Sequence, residues 1–130
     1  IYMHFSINEH HVAHSSPHGL LTISSDPEQG YRPVELFVSS LAGCSGTLLK
    51  NLLHKKRITY SSLSLEVHIT RDETRANRIT SLDFESYVDG SMTEKQRLSL
   101  ATLVIENCGM IQSVIDTIAI TFTIHSTHER

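Results

Sequence analysis

Apolar and polar residues alternate most clearly in the second half of the chain. Three runs, residues 62–70, 79–88 and 118–124, place apolar side chains at every second position, which predicts three β-strands. Two shorter strands are predicted near the N-terminus, at residues 2–7 and 19–24. The pattern therefore predicts five strands in two groups, one at each end of the chain.

The segment between these groups lacks alternation and predicts a long helix over residues 34–55. Pro33 suits the first helical turn, where its missing N–H costs no hydrogen bond. The helix is apolar or small on nearly every side, and its cations lie near its C-terminus. We therefore expect a central helix that is buried on more than one face.

A second helix is predicted after Gly90, which is expected to end the preceding strand. Thr93 and Gln96 have the spacing of a capping box. Gly109 is expected to stop or bend this helix, and a short apolar turn follows it. The predicted core stripe of the helix consists of Leu98, Ala101, Ile105 and Cys108.

This order of elements predicts an α+β fold with mainly antiparallel pairing, in which the sheet packs against the long buried helix. A length of 130 residues suits a single domain over residues 1–130. The chain begins at Ile1, so we expect its N-terminus to be incomplete, and residues 1–7 lack the basic region of a signal peptide.

Composition restricts the possible partners. The chain is 39% hydrophobic and 19% charged, with a net charge of −3 and no long basic run, which argues against nucleic acid and anionic membrane. No run approaches the roughly 20 consecutive apolar residues of a membrane span. The spacing of the two cysteines matches no zinc or CxxC pattern. Because no secretion signal is recognised, we expect a cytoplasmic protein in which both are reduced thiols.

Cys44 and Cys108 have two interpretations. Each could be a small apolar residue packed in the core. Against this, Gly43 and Gly46 beside Cys44 cost a helix about 1 kcal/mol each, which implies that something approaches the backbone there. Both cysteines also point from apolar helix faces into one small core, so they could form a dithiol if their Cα atoms lie roughly 5.5–6 Å apart.

Glu35 stands at the start of the long helix, where a carboxylate interacts favourably with the helix dipole. It precedes Cys44 by about two and a half turns, so on one straight helix the two side chains would face opposite sides. A site containing both needs a break near Gly43 or a second subunit that supplies one of them.

Four histidines, His10, His11, His14 and His18, lie in a segment expected to be a polar turn. Some have the i, i+4 spacing of metal ligands on a helix, but Pro17 and Gly19 disfavour a helix there. The prediction is no metal and no other cofactor. A metal-binding module remains the third and weakest interpretation.

The segment from Arg32 to Leu36, read with Leu41-Ala42-Gly43-Cys44, resembles the first motif of the OsmC/Ohr superfamily, the osmotically induced protein C and organic hydroperoxide resistance proteins. The order of the later elements agrees, and Asn107-Cys108 stands where the second cysteine is expected. The resemblance covers roughly residues 19–124.

The resemblance implies an OsmC-like fold in which two subunits intertwine as a homodimer and build two sites near their interface. It implies a cysteine-based peroxidase that reduces organic hydroperoxides or hydrogen peroxide. Cys44 would be the peroxidatic residue, Cys108 the resolving residue and Glu35 the carboxylate of the site. An external thiol would reduce the Cys44–Cys108 disulfide.

Two departures from the family motifs favour the OsmC-like branch. The peroxidases place an N-terminal arginine against the cysteine, but the first arginine here is Arg32, which is our candidate substitute. Gly109 and Met110 follow Cys108 where proline is usual. The alternative is an OsmC-like protein without strong peroxidase activity that binds a small thiol or apolar ligand in the same pocket.

Overall fold

The computed structural model describes residues 1–129 and has nine secondary-structure elements in that range. Their bounds are β1 Ser6–Ile7, β2 Val12–Ser16, β3 Gly19–Ile23, α1 Pro33–Lys55, β4 Tyr60–Asp72, β5 Arg78–Met92, α2 Glu94–Asn107, α3 Gly109–Gln112 and β6 Ala119–Glu129. The α+β order is the predicted one, with one additional strand. The chain divides into two compact units, residues 1–39 and residues 40–130, which are described separately.

The N-terminal unit contains an antiparallel sheet in the order β1-β2-β3. The prediction of a polar turn throughout the histidine segment is wrong, because β2 lies within it and pairs with both neighbours. The turn is confined to Pro17 and His18, and Gly19 follows with a φ of 124°, which a residue with a side chain rarely adopts. Because the turn is tight, Val12–Ser16 can pair as a strand. The polar composition of the segment gave no indication of this strand.

The sheet of the N-terminal unit has no residue that is fully buried in the single chain. Several large apolar side chains of this unit are exposed, namely Ile1, Tyr2, Met3, Phe5, Ile7, Leu20 and Tyr31. An isolated three-stranded sheet usually needs a partner on its apolar face for independent stability.

Helix α1 is continuous through Gly43 and Gly46, so the break considered above is absent. In the single chain its fully buried residues form one stripe, Leu41, Ser45, Leu49 and Leu53, and its other apolar residues are less buried. Burial on several faces is therefore not observed within one chain. By length and composition alone α1 could also cross a membrane, a test that the core helix of a soluble protein passes too.

The C-terminal unit contains a mixed sheet in the order β4-β5-β6. Strand β5 pairs antiparallel with β4 and parallel with β6, so one of its two ladders departs from the antiparallel expectation. Gly90 does not end β5, which continues to Met92. A Cβ atom at Gly90 would lie 2.5 Å from the carbonyl oxygen of Thr59, so glycine is required there for the close approach of the two chain segments.

The predicted capping box of α2 is confirmed. The Thr93 hydroxyl accepts a hydrogen bond from the backbone N–H of Gln96, and the Gln96 side chain accepts one from the N–H of Thr93. The predicted core stripe is wrong at two positions, because Leu98 is 63% exposed and Ile105 is half-buried. The buried residues are Leu100, Ala101, Val104 and Cys108, so Ala101 and Cys108 are buried as predicted.

The core of the chain lies in the C-terminal unit. Helix α2 packs against β6, and the rings of Phe84 and Phe122 stack with centroids 5.8 Å apart. Alternate residues of β5 are buried as predicted, including Leu82, Phe84 and Val88. Cys108 is part of this core, and its position follows from the packing of α2 on the sheet.

Candidate functional site

Cys44 lies in α1 next to Ser45, a fully buried member of the helix's core stripe. Its own side chain is half-buried, so it borders the core without being sealed in it. The glycines around it are not explained by contacts within the single chain. A Cβ atom at Gly43 would meet no described atom within 4 Å, and at Gly46 it would only touch the Leu65 side chain at 4.0 Å.

Cys108 joins two helices. It follows the last residue of α2, its backbone N–H donates to the carbonyl oxygen of Val104 at 2.9 Å, and its own carbonyl accepts from the N–H of Gln112 at 2.9 Å. Its side chain is 1% exposed. The end of α2 and the start of α3 therefore hold this thiol in place from both sides.

The structure brings Cys44 and Cys108 together as two free thiols close enough for each to affect the pKa of the other. Cys108 is buried in the core and Cys44 borders it, which agrees with the expected convergence of the two side chains. The backbone N–H groups of Met110 and Gly109 lie close enough to the Cys44 sulfur to lower its pKa. These N–H groups have no partner inside α3, because the first N–H groups of any helix lack one.

The pKa of Cys44 is lowered from that of a free cysteine. The largest cause is the hydrogen bond from the Met110 N–H, followed by the hydrogen bond from the Cys108 thiol, and the Gly109 N–H adds to them. Partial burial opposes these effects. Every group that lowers this pKa is a hydrogen-bond donor, so the thiolate of Cys44 is stabilised by local dipoles.

The pKa of Cys108 is raised, chiefly because burial disfavours its thiolate. The Cys44 side chain raises it further, since a second negative charge beside the first is unfavourable. The two thiols are therefore unequal. Cys44 is the more acidic and the more accessible of the two thiols.

Arg32 and Glu35 form a second pair, in the N-terminal unit. The carboxylate Oε1 of Glu35 accepts hydrogen bonds from Arg32 Nε at 3.0 Å and from the Arg32 backbone N–H at 3.1 Å. These bonds lower the pKa of Glu35, the side-chain bond being the largest cause. Both side chains are about half exposed. The bond to the Arg32 N–H caps the start of α1, as the helix-dipole interpretation of Glu35 predicted.

The histidines of the N-terminal unit do not assemble a metal site. Within residues 1–129 no group of three His, Cys, Asp or Glu side chains could hold a metal ion. His14 instead bonds through Nδ1 to the carbonyl oxygen of His4 at 2.9 Å and packs against Phe5.

A groove of about 650 Å³ runs between α1 and β4 in the C-terminal unit. Helix α1 lines it with Ala42, Gly43, Gly46 and Thr47, and β4 contributes serine and leucine side chains. The groove thus lies along the small-residue side of α1 that flanks Cys44.

Sequence reasoning missed the two backbone donors at residues 109 and 110. Residue types carry no signal for them, because every residue except proline has an N–H. The sequence did indicate that Gly109 stops or bends α2 and that a short apolar turn follows. A second helix starting there would have unpaired N–H groups next to Cys108.

Comparison with known proteins shows the family and the fold. The family profile described as OsmC-like protein matches residues 25–124. The chain therefore belongs to the OsmC-like protein family. No curated protein matches the sequence.

Several solved structures share the fold. A hypothetical protein from Aquifex aeolicus is 18% identical, with a TM-score of 0.82 over 99% of this chain and 97% of that one. An OsmC-like protein from Mycoplasma pneumoniae is 16% identical, with a TM-score of 0.82 over 98% and 96%. An organic hydroperoxide resistance protein from Legionella pneumophila is 12% identical, with a TM-score of 0.72 over 95% and 96%. The OsmC fold predicted from the sequence is confirmed.

Proposed function

We propose that this protein is a thiol-dependent peroxidase that reduces organic hydroperoxides or hydrogen peroxide. The observation that carries the proposal is the unequal pair of thiols, one half-buried with a lowered pKa, the other buried with a raised pKa. Family membership supports the same chemistry, since similar structures include organic hydroperoxide resistance proteins.

The first step is attack of the Cys44 thiolate on an oxygen of the O–O bond. The S–O bond forms as the O–O bond breaks, the leaving alkoxide takes a proton to become an alcohol, and Cys44 becomes a sulfenic acid. Cys108 then attacks the sulfenic sulfur, and a Cys44–Cys108 disulfide forms with loss of water. Two thiols of an external reductant restore both cysteines and become a disulfide themselves.

Arg32 and Glu35 enter the proposal through the family motif. Arg32 would supply a cation to the reacting oxygen atoms, and Glu35 would hold the guanidinium through the bond at Arg32 Nε. Because α1 is continuous, we propose that the pair acts on the Cys44 of a second subunit in an intertwined homodimer. The exposed apolar side chains of the N-terminal unit and the open space at Gly43 support such a dimer. We assign the protein to the cytoplasm, where thiols remain reduced.

A stoichiometric oxidation experiment tests the function. After one equivalent of cumene hydroperoxide, we expect intact-mass analysis to show the loss of two hydrogens and peptide mapping to show a Cys44–Cys108 disulfide. Cys44→Ser should abolish peroxide consumption, whereas Cys108→Ser should still consume the first equivalent. Two free thiols after treatment, with no peroxide consumed, would exclude the enzyme.

The alternative is a protein that binds a small thiol or apolar ligand without strong peroxidase activity. Two observations favour it. The groups that lower the pKa of Cys44 are all hydrogen-bond donors, and a groove lies beside Gly43 and Gly46. A protein that leaves cumene hydroperoxide intact, and whose fluorescence or NMR spectrum responds to a small thiol, would fit this function.

A further inference from the structure

The chain returns to strand β3 just before helix α1 begins. Ile23 and Tyr31 form an isolated parallel bridge. The Tyr31 N–H donates to the carbonyl oxygen of Thr22 at 2.9 Å, and the Ser24 N–H donates to the carbonyl oxygen of Tyr31 at 3.0 Å. Because β2 pairs with one edge of β3, Tyr31 pairs with the opposite edge.

Gly30 allows the two segments to approach so closely. A Cβ atom at Gly30 would lie 2.6 Å from the carbonyl oxygen of Thr22 and 2.9 Å from the backbone nitrogen of Ile23. Both are backbone atoms, so no side-chain rotation can relieve such a clash. The φ of Gly30 is not positive, so it is the close approach that requires glycine here. Any side chain at position 30 would therefore force Tyr31 away from β3.

The loop that leads to Gly30 is held by its own hydrogen bonds. The Asp26 N–H donates to Ser24 Oγ at 3.1 Å. Asp26 in turn accepts bonds from the N–H of Glu28 at its Oδ1 atom and from the N–H of Gln29 at its carbonyl oxygen, both at 3.0 Å. Serine and aspartate side chains that bond to nearby backbone groups stabilise turns. The loop therefore returns Gly30 to β3 in a defined conformation.

The Arg32–Glu35 pair follows the bridge, with no residue between Tyr31 and Arg32. The Arg32 carbonyl oxygen accepts hydrogen bonds from the N–H groups of Glu35 at 3.0 Å and Leu36 at 3.3 Å, in the first turn of α1. The bonds of the pair span three residues, so the pair can form without the sheet. Its place relative to the sheet, in contrast, depends on the bridge, because the bridge fixes the residue before Arg32.

We propose that Gly30 is a positioning residue for peroxide reduction, because the bridge that it permits fixes the Arg32–Glu35 pair in place beside strand β3. Gly30 has no side chain to offer the reaction, and it acts through this pair. The inference rests on the proposed function, in which Arg32 supplies a cation to the reacting oxygen atoms. A guanidinium on a flexible segment would lose much of its effect, since electrostatic catalysis depends on groups that are held in place before the reaction.

Gly30→Ala tests the proposal directly. The added methyl group should separate Tyr31 from β3, and we expect kcat/KM for cumene hydroperoxide, measured with excess dithiothreitol, to fall on the order of tenfold. A fall of similar size is expected for Glu35→Gln, because both changes remove the contribution of the same pair. An unchanged kcat/KM in Gly30→Ala would overturn the proposal.

The double variant shows whether Gly30 acts through the pair. In the Glu35→Gln background, Gly30→Ala should lower kcat/KM further by less than about twofold, since residues that act through one interaction have effects that do not add. Additive effects would mean that Gly30 influences the rate by another route, and the positioning role would be wrong.

Gly90→Ala is the matched control. A Cβ atom there would also meet a backbone oxygen, that of Thr59 at 2.5 Å, but in the C-terminal unit. We expect Gly90→Ala to lower the melting temperature, as Gly30→Ala does, and to change kcat/KM by less than about twofold at a temperature where both variants are folded. An equal loss of kcat/KM in the two variants would reveal general destabilisation and overturn the proposal.

The titration of Glu35 separates displacement of the pair from its loss. The hydrogen bonds from Arg32 lower the pKa of Glu35, and they are local to the start of α1. We therefore expect the Glu35 carboxyl, followed by ¹³C NMR, to keep its lowered pKa in Gly30→Ala while kcat/KM falls. A pKa that returns to the ordinary glutamate value of about 4.3 would show that the pair itself is lost, which would contradict a role in placement.

Hydrogen exchange in the wild type covers the case in which Gly30→Ala does not fold. The Tyr31 amide donates to Thr22, so it should exchange as slowly as the bonded amides of the β2–β3 ladder, within about tenfold. The residue before the pair would then open only together with the sheet. A Tyr31 amide that exchanges like an unstructured peptide, while the ladder is protected, would refute the positioning role.

Failure of the proposed function gives a different result from failure of this inference. If the wild type consumes no cumene hydroperoxide, the proposed function is wrong, and Gly30 then has no role in peroxide reduction. If the wild type and Gly30→Ala are equally active, the function stands and the positioning role is refuted. The two failures are therefore distinguishable.

Discussion

Glu35 and Cys44 are both stabilised in their charged forms by groups at the start of a helix. The two cases differ in how far along the sequence those groups lie from the side chain. Glu35 accepts from the backbone and side chain of Arg32, three residues before it, at the start of α1. Cys44 accepts from the N–H groups of Met110 and Gly109 at the start of α3, far away in the sequence. The first pair forms wherever the helix forms, whereas the second requires the folded C-terminal unit.

The difference in range is matched by a difference in exposure. The Arg32–Glu35 pair is about half exposed, so solvent screens it and its contribution to stability is small. Cys44 is half-buried and lies beside the fully buried Cys108 thiol, although Gly109 and Met110 are themselves exposed. Under the proposed function, the thiol pair would therefore carry the chemistry and the ion pair would modulate it.

The largest expected effect concerns the thiol pair. Cys108→Ser removes the second thiol, so we expect fast consumption of about one peroxide equivalent per Cys44, followed by slower consumption of further equivalents as Cys44 advances to sulfinic and sulfonic acids under excess peroxide. Repeated additions of cumene hydroperoxide without added thiol, followed by intact mass, measure this, because dithiothreitol would itself reduce the sulfenic acid. A Cys44 that is not overoxidised under these conditions would show that another group protects the sulfenic acid.

A smaller effect is expected from the ion pair. Glu35→Gln keeps an oxygen acceptor for the Arg32 N–H but removes the negative charge, so the helix should remain capped while peroxide consumption falls on the order of tenfold, about the size of one charge-assisted hydrogen bond. Steady-state rates with cumene hydroperoxide measure it.

Glu94→Gln is the matched control, because Glu94 is also an acidic residue in the first turn of a helix, α2. Its rate should be unchanged. Equal rates in the wild type and Glu35→Gln would show that Glu35 only caps helix α1. The site of peroxide reduction would then consist of the two thiols.

The smallest expected effect is on acid stability. The lowered pKa of Glu35 means that its carboxylate stabilises the folded state above the ordinary glutamate pKa of about 4.3, and this contribution is lost as the pH falls through the folded pKa. Urea midpoints of the wild type and Glu35→Gln should therefore differ slightly at pH 7 and converge in acid. A difference that grows on acidification would contradict the assigned direction.

The sequence allowed prediction of those features that depend on local pattern. The continuous helix around Cys44, the alternation in β5 and the Thr93 capping box are all local, and they are confirmed. The convergence of Cys44 and Cys108 was predicted because two apolar helix faces in a small core leave little room for separation.

Features that depend on tertiary contacts were missed. Strand β2 is stabilised by pairing on both edges, which outweighs its polar composition. Leu98 has the spacing of a core residue but is exposed, since the orientation of α2 is set by its packing on β6. The N–H donors to Cys44 could not be predicted because the relevant groups belong to the backbone, and only the fold decides where they point.

The parallel pairing of β5 and β6 has a consequence for how the chain can vary in length. β5 ends at Met92, but its register pairs Ser81, near its beginning, with Ala119 of β6, so the connection must return along the sheet. Helix α2 makes most of that return and carries Cys108 at its end. One inserted residue in α2 would turn Cys108 by about 100° about the helix axis, away from Cys44. An insertion in the exposed turn between β4 and β5 would leave both thiols in place. We therefore expect related sequences to vary in length at the β4–β5 turn but not within α2.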